Sequence, residues 1–296
     1  MFIDGSYVSP TEARIPIFDT GFLHADLVYD AVSVWDRAFF KLDSHLARFL
    51  RSIAGFRLIS PYTTPQIAAI LARCVDRSGL RHAIVRMHLT RGTYPEGSRD
   101  PRLCENRFIA HALPYLWLWG EEKCRNGVHL HVSSVERISS RAVDARFKNF
   151  HWGDLTSAQF EAFEHGCDDA VLCGPDGALA EGPGYNIFVA KDGHVATPAT
   201  NCLEGIGREA AIELCRMEDI PIETRTVQPH ELRGADEAFA TSTGGGIIPV
   251  TRVNGRTLGN GAPGLLTSRL VDLYWAKRRA GWCATPVSAL LSDRQT

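Results

Sequence analysis

The sequence predicts a mixed α/β (α+β) fold divided into two domains, and three observations support this prediction. In the first third of the chain, runs rich in β-branched and aromatic residues alternate with segments whose apolar residues recur at helical spacing. Beyond about residue 128, short strand-like runs dominate and tight turns separate them. The length of 296 residues allows one large domain or two smaller ones.

The first domain, residues 1–113, is predicted to begin with a strand hairpin and to continue with two helices. The runs DLVYDAVSVWD and AFFKL are rich in strand-forming residues. In DSHLARFLRSIAGF, apolar residues recur at helical spacing between an Asp-Ser start and Gly55. A second helix in TTPQIAAILARCVDRSG begins near Pro65 and ends at Gly79. Two further strands are predicted in HAIVRMHLTRG and ENRFIAHALPY.

A connector at residues 114–120 is predicted to lead into a larger second domain, residues 121–296. This domain is rich in short strands, and turns at Gly174–Gly177 and Asp192–Gly193 punctuate them. Helical stretches are predicted at about residues 153–165, 207–218 and 263–279. We therefore expect a sheet-dominated, barrel-like domain.

Composition and charge argue against several classes of protein. A formal net charge of −2 gives no electrostatic footprint for nucleic acid or for an anionic membrane. The start, MFIDGSYVSPTEAR, has neither an apolar core of signal-peptide length nor a basic leader. The apolar stretch at about residues 112–119 is too short to span a bilayer. We therefore expect a cytoplasmic protein without a nucleic-acid or membrane partner.

The cysteines and histidines give no sign of a metal site. Eight cysteines are scattered without CxxC spacing, which is typical of reduced thiols in a cytosolic protein of this size. His129 and His131 form an HxH pattern, but in GVHLHVSSV they look like one face of a strand and no third ligand is evident. We expect no metal.

One lysine has unusual neighbours. The chain has only five lysines, and Lys148 lies in RFKNFHWGDL between two phenylalanines, four residues before a tryptophan. An ammonium group is expensive to desolvate among aromatic rings. Either its long stem reaches past the rings into water, or the lysine is kept neutral enough to act as a nucleophile.

Four more segments have features that suit an anionic, aromatic aldehyde cofactor. Glu181 in EGPGYNIF could keep a pyridine nitrogen protonated. In LEGIGREAAIELC, glycines lead into a helix, so the amides of Ile206 and Gly207 would point at an anion. TSTGGGIIPV offers hydroxyl groups and amides, and HLARF offers Arg48. Taken singly, each segment has an ordinary explanation as a solvated turn, a common helix start, a flexible loop or a surface arginine.

In this order and spacing, the segments resemble the class IV aminotransferases, the fold type IV enzymes that use pyridoxal 5′-phosphate (PLP). The resemblance runs from ARIPIFDTGFLHADLVYD through HLARF, FKNFHWGDL, EGPGYNIF and LEGIGR to TSTGGGIIPV, which is almost the whole chain. Within the family, the N-terminal run, the KN-x-x-W-GDL block and the PYLW connector are most similar to the (R)-selective amine transaminases. The resemblance implies a small N-terminal α/β domain, a larger pseudo-barrel domain, a cofactor between them, and a homodimer.

The resemblance also assigns roles to residues. It implies that Lys148 is the Schiff-base lysine and moves the substrate proton, and that Glu181 is the partner of the pyridine nitrogen. Its implied phosphate ligands are Arg48, the amides of Ile206 and Gly207, and Thr243. The family usually has threonine where this chain has Gly207, so one hydroxyl contact is lost and we expect weaker cofactor binding.

The implied reaction moves an amino group between an (R)-amine or D-amino acid and a keto acid such as pyruvate. The substrate pocket is implied to be lined by His24, Tyr29, Ala31, Ile84, Arg86, Arg99, Trp152 and Gly244.

Arg86 departs from the amine transaminase pattern, which usually has an acidic residue in that strand. An arginine there looks more like branched-chain or D-amino acid enzymes, in which it can meet a substrate carboxylate. If Arg86 faces the pocket, we expect carboxylate substrates; if strand alternation turns it away, Val85 lines the pocket and hydrophobic amines are selected. Arg99 and Arg102 in the adjoining loop are further candidates for binding a keto acid.

Three other functions stay open at this point. Branched-chain L-amino acid aminotransferases and aminodeoxychorismate lyases share the same skeleton and cofactor site. A protein that binds the cofactor without turnover is the third, and a half-reaction with an amino donor would distinguish it from an enzyme.

Overall fold

The computed structural model of the protein describes residues 1–291. The eight α-helices, numbered α1 to α8 in chain order, are Thr20–His24, Leu42–Gly55, Thr64–Ser78, Glu121–Asn126, Gly153–Glu164, Ile206–Met217, Pro229–Gly234 and Leu265–Arg279. The fifteen strands described, β1 to β15, are Phe2–Ile3, Ser6–Tyr7, Leu27–Trp35, Ala38–Phe40, Ala83–Thr90, Arg107–Pro114, Val128–Glu136, Asp169–Cys173, Asn186–Lys191, His194–Pro198, Ile222–Arg225, Glu237–Ser242, Gly246–Val253, Arg256–Thr257 and Ala284–Pro286.

The chain divides into two units, each with its own sheet. Among the described residues, the first unit contains Met1–Leu116, Phe147–Phe150 and residues 281–291. The second unit contains Trp117–Arg146 and His151–Ala280. Residues 147–150, which include Lys148, belong to the first unit although they follow the predicted connector at residues 114–120. The predicted domain boundaries do not include this return of the chain.

The sheet of the first unit has seven strands in the order β15-β4-β3-β5-β6-β1-β2, and its long central strands are antiparallel. Alternate residues of β5 point to opposite faces of the sheet. Val85, Met87 and Leu89 enter a core that they share with residues of α2 and α3. The other face of β5 carries Ile84, Arg86 and His88, and it is therefore the face available for chemistry.

The sheet of the second unit follows the order β11-β10-β9-β12-β13-β7-β8 and mixes parallel with antiparallel pairs. Strand β7 is parallel to both of its neighbours, β13 and β8. The apolar core includes Leu130, Ile187 and Ile248, all with no exposed surface. Helix α5 packs on β7 and β8, whereas α6 and α8 pack on β12 and β13. This sheet-dominated unit agrees with the strand-rich pattern of the sequence.

The helices with strong periodicity and clear end signals lie where the sequence predicts them. Helix α2 starts one residue before the expected Asp43 and ends at Gly55. Helix α3 begins after Thr63, whose backbone N–H donates to the Gln66 side chain, and ends before Gly79, which has a φ of 68°. The short helices α1, α4 and α7 have five or six residues each and were not predicted. Their length is below that at which periodicity is informative.

No helix within residues 1–291 is long and apolar enough to cross a bilayer. His131 lies in β7 with its Nε2 3.3 Å from Oε1 of Glu161, and no metal-binding group of three ligands occurs among the described residues.

Two glycines of the second unit provide a test of packing. Gly246 (φ 73°) opens β13, and a Cβ there would overlap the ring of the buried Tyr274. Gly193 (φ 75°) has the same backbone conformation and open space around it. We expect Gly193→Ala to cost about 1–2 kcal/mol of unfolding free energy through left-handed strain, and Gly246→Ala about 1–3 kcal/mol more through overpacking. Urea unfolding of both variants measures the difference, and equal losses would contradict this account.

Candidate active site

Lys148 lies in the first unit, in an extended segment beside β3. Its carbonyl accepts the N–H of Tyr29 at 3.0 Å, and its own N–H donates to Oγ of Ser52 in α2 at the same distance. The Nζ atom lies 4.6 Å from the centroid of the Tyr29 ring, a cation–π distance. The side chain is partly exposed. The backbone of Lys148 is therefore fixed and its amine is accessible, as a lysine that attacks a carbonyl group needs.

A buried cluster of charges lies next to this segment. Asp30 of β3 has no exposed surface, and its two oxygens accept hydrogen bonds from Nε and Nη2 of Arg48, each at 2.8 Å. Nδ1 of His45 lies 2.7 Å from the same carboxylate. Burial alone would raise the pKa of Asp30, but Arg48 and His45 hold it well below its usual value. Arg48 is thus fixed in a defined orientation by Asp30, and its contact with a phosphate stays a prediction.

The face of the first sheet beside Lys148 carries four of the predicted substrate residues. Tyr29 is paired with His88, and Ala31 with Arg86, across the antiparallel β3–β5 ladder. Directly paired residues lie on the same face. Ile84 lies two residues before Arg86 and so belongs to this face as well. Val85, in contrast, is fully buried in the core.

Two histidines that the sequence analysis did not single out complete this face. His111 of β6 is paired with Arg86, and its ring stacks on that of His88 at 5.2 Å between centroids. Burial lowers the pKa of His88 to about 3 and that of His111 to about 4. Both rings are therefore neutral at pH 7. Arg86 Nε, His88 Nε2 and His111 Nδ1 are buried and have no hydrogen-bond partner within the described chain.

The remaining predicted residues of the first unit are in exposed positions. His24 ends the short helix α1 and is exposed. Arg99 is exposed in the loop between β5 and β6. Arg102, in the same loop, is bound by its neighbour Asp100 at 2.6 Å.

In the second unit, Glu181 is a buried carboxylate with defined partners. It is 6% exposed, Nε of Arg137 lies 3.2 Å from its Oε1, and the N–H of Leu203 donates to its Oε2 at 2.9 Å. A solvated glutamate in a turn, the ordinary explanation, is excluded by this burial. The arrangement is suited to holding a cationic N–H donor.

The start of α6 has the features of an anion site. Gly205 is the N-cap residue, and Ile206 and Gly207 are the first two helical residues, whose N–H groups have no partner within the helix. Thr241 at the end of β12 is close to Gly207, and its buried Oγ1 has no hydrogen-bond partner in residues 1–291. Thr243 and Gly244 lie in the turn that follows β12. The sequence analysis missed Thr241, although it lies in the segment TSTGGG.

Trp152, the last predicted substrate residue, is the residue that precedes α5, and it packs partly buried against an apolar cluster that includes Leu155.

The sequence and the fold of this chain are similar to those of known proteins. Residues 27–253 match the family model described as amino-transferase class IV. The branched-chain-amino-acid aminotransferase of Pseudomonas aeruginosa is 29% identical over 287 residues, covering 93% of this chain and 91% of that protein. The D-alanine aminotransferase of Bacillus licheniformis is also 29% identical, covering 91% and 94%. The solved branched-chain aminotransferase of Thermoproteus uzoniensis with norvaline has a TM-score of 0.88 at 26% identity, covering 97% and 98%.

The fold, the lysine on its aromatic face and the family match together define the class: the chain belongs to the class IV aminotransferases. It is an aminotransferase with PLP as cofactor, so the predicted fold class and the predicted cofactor are confirmed. The residues present fit this cofactor: the first unit provides an accessible amine. The second unit provides a buried carboxylate and a helix start beside a threonine hydroxyl that has no hydrogen-bond partner among residues 1–291. The relatives compared are branched-chain and D-alanine enzymes, so the (R)-amine subtype stays a prediction.

We expect Lys148→Ala to abolish transamination and the absorbance band of the lysine-bound cofactor without unfolding the chain. The side chain makes a cation–π contact, whereas the backbone contacts to Ser52 and Tyr29 do not depend on it. Lys191→Ala is a matched control, because Lys191 is an exposed lysine paired with Asp236. Visible spectra and turnover with an amino acid donor check both variants. Substantial turnover by Lys148→Ala would show that another group does the chemistry.

Gly207→Thr should tighten PLP binding by roughly tenfold, because a hydroxyl bonded to a charged phosphate contributes about 1.5–3 kcal/mol. A Cβ at this position would lie 3.4 Å from the N of Ser242, an ordinary contact, so the side chain fits. Gly207→Ala is the control, since it changes helix propensity without adding a hydroxyl. Fluorescence titration of the apoenzyme with PLP measures both. An equal gain in the two variants would assign the effect to the helix alone.

Proposed function

We propose that this aminotransferase acts on amino acids and keto acids, and that Arg86 binds a substrate carboxylate. The observation that carries the proposal is the state of Arg86: its Nε is buried, and it has no ion-pair partner among the described residues. A buried N–H of a charged group without an acceptor is costly. A substrate carboxylate removes that cost.

The neighbours of Arg86 support this proposal. At pH 7 His88 and His111 are neutral, so within this set of three Arg86 carries the positive charge. Each neutral histidine can still donate one N–H to a carboxylate oxygen. The sequence of ring contacts from Lys148 to Tyr29, His88 and His111 runs across the same face of the sheet. A substrate on this face would have its amino group toward Lys148 and a carboxylate toward Arg86.

The cofactor residues follow from the resemblance to the family and stay proposals. Lys148 binds the cofactor and moves the substrate proton as a general base and acid. Glu181 holds the pyridine nitrogen, while Arg48, the amides of Ile206 and Gly207, and Thr243 hold the phosphate. When bound, PLP supplies an electron-withdrawing ring that stabilises negative charge developing at the substrate Cα.

A homodimer is part of the proposal, and the segment before β3 supports it. Five large apolar side chains there are 48–69% exposed: Ile15, Ile17, Phe18, Phe22 and Leu23. Large apolar side chains that are exposed close together in one segment mark an interaction surface. A self-complementary interface in a two-fold dimer is the commonest way to bury such a surface.

The (R)-amine transaminase prediction gives the opposite expectation for the substrate. That prediction rests on the N-terminal run and the KN-x-x-W-GDL block. A simple amine has no carboxylate, so it would leave Arg86 without an anion. A donor panel therefore separates the two proposals: D-alanine, L-leucine and both enantiomers of 1-phenylethylamine, with pyruvate and 2-oxoglutarate as acceptors.

We expect Arg86→Met to lower kcat/KM for the preferred amino acid by more than tenfold, because a charge-assisted bidentate contact of about 1.5–3 kcal/mol is lost. Turnover of (R)-1-phenylethylamine should change little. Arg99→Met is the matched control for a loop arginine, since Arg99 is exposed. Equal losses for amino acid and amine in Arg86→Met would overturn the proposed role of Arg86, and a selective loss in Arg99→Met alone would transfer it to the loop.

A further inference from the structure

Glu181 is one member of a row of three charged side chains in the second unit, here called the carboxylate–guanidinium–carboxylate row: Glu181, Arg137 and Asp154. Arg137 follows β7 and is 6% exposed. Its Nε lies 3.2 Å from Oε1 of Glu181, and its Nη1 donates to Oδ2 of Asp154 at 2.6 Å. One guanidinium therefore holds two carboxylates that are far apart in the sequence.

Backbone groups fix both ends of the row. Leu203 N–H donates to the second oxygen of Glu181 at 2.9 Å. At the other end, Asp154 accepts the N–H groups of Ile138 and Leu155, at 2.7 and 2.8 Å. With donors on both of its oxygens, the Glu181 carboxylate cannot rotate freely. The plane of this carboxylate is therefore set by the protein and is not left to the cofactor.

The charges of the row add to a single negative charge. Burial opposes the charge on Arg137, but Glu181 and Asp154 more than offset it and raise the pKa of Arg137 above its ordinary value. An isolated Glu181–Arg137 pair would be neutral and would attract a cationic ring nitrogen weakly; Asp154 restores one negative charge. The neighbouring Cys202 adds none, because burial raises the pKa of its thiol to about 12. Arg208 also lies near Cys202, and it donates to the carbonyl of Pro198.

We propose that Arg137 and Asp154 are positioning residues that set the orientation and the net charge of Glu181 toward the ring nitrogen of the cofactor. This inference rests on the proposed role of Glu181. Arg137 holds the carboxylate in plane, and Asp154 balances the charge of Arg137 so that Glu181 keeps its full attraction for a protonated nitrogen. Neither residue needs to touch the substrate, so the effect is on the chemical step and not on substrate binding.

The direct readout is the nitrogen-15 shift of PLP labelled at its ring nitrogen, measured in the holoenzyme, because it reports whether that nitrogen is protonated. We expect Asp154→Asn to move this shift toward that of a neutral pyridine, because the charge of Arg137 is then no longer balanced. Arg137→Gln removes the group that holds the carboxylate in plane and leaves the negative charge, so its shift should stay near the protonated value while kcat falls. In both variants we expect kcat to fall by at least tenfold, with KM for the amino donor within about threefold of the original value. In the double variant the charge on Glu181 is no longer shared with Arg137, so the shift should return partly toward the protonated value.

Arg278→Gln is the matched control, because Arg278 is another buried arginine of this unit, in contact with the rings of Tyr274 and Trp275. It should lower stability without moving the nitrogen shift. If Arg137→Gln does not fold, Arg137→Lys keeps the charge but loses the two-sided planar contact, and it should keep the protonated shift while lowering kcat.

Glu181→Gln separates failure of this inference from failure of the proposed function. If Glu181→Gln leaves the nitrogen shift unchanged, Glu181 is not the partner of the ring nitrogen and both proposals are wrong. If Glu181→Gln moves the shift but Asp154→Asn leaves it unchanged and Arg137→Gln leaves kcat unchanged, the row is structural only and this inference alone is overturned.

Discussion

The contact of Asp30 with Arg48 and His45 is the interaction on which the site of the first unit depends. Asp30 is fully buried, so removal of either basic partner would leave a carboxylate without full compensation, at a cost of several kcal/mol. The contact binds β3 to α2, and α2 in turn holds the Lys148 backbone through Ser52, whose hydroxyl donates to the carbonyl of Arg48. Lys148, the proposed Schiff-base lysine, is thus positioned by an ion cluster that acts on it through the backbone of α2.

The second unit solves a related electrostatic problem with a different arrangement. A buried carboxylate attracts a cation best when it is ionised and no neighbouring group cancels its charge. These two conditions conflict, because a neighbouring cation that keeps the carboxylate ionised also cancels its charge. In the row of Glu181, Arg137 and Asp154, the second carboxylate removes this conflict. The cluster of the first unit has no net charge: Asp30 offsets Arg48, and burial lowers the pKa of His45, so its ring is neutral at pH 7.

The sequence predicts the parts of this structure that depend on local chemistry. Helices α2 and α3 follow from periodicity and end signals, and the start of α6 follows from its glycines. The supporting charges could not be predicted in this way. Asp30 and Arg48 are 18 residues apart, and Arg137 and Glu181 are 44 apart, so only the tertiary fold brings them together. From the sequence alone, an acidic residue within a strand is interpreted as solvated, and so is an arginine that follows a strand. The brief passage of residues 147–150 into the first unit has no local signal either.

Strand alternation in β5 separates the proposed substrate face from the core. Val85, Met87 and Leu89 fill the core, while Ile84, Arg86 and His88 occupy the opposite face. A substitution on the chemical face changes charge and hydrogen bonding there without opening a cavity in the core, so its effect on stability should be small compared with a core substitution. Within one fold, the substrate can therefore change through Arg86 and its neighbours while the ion cluster that positions Lys148 stays intact.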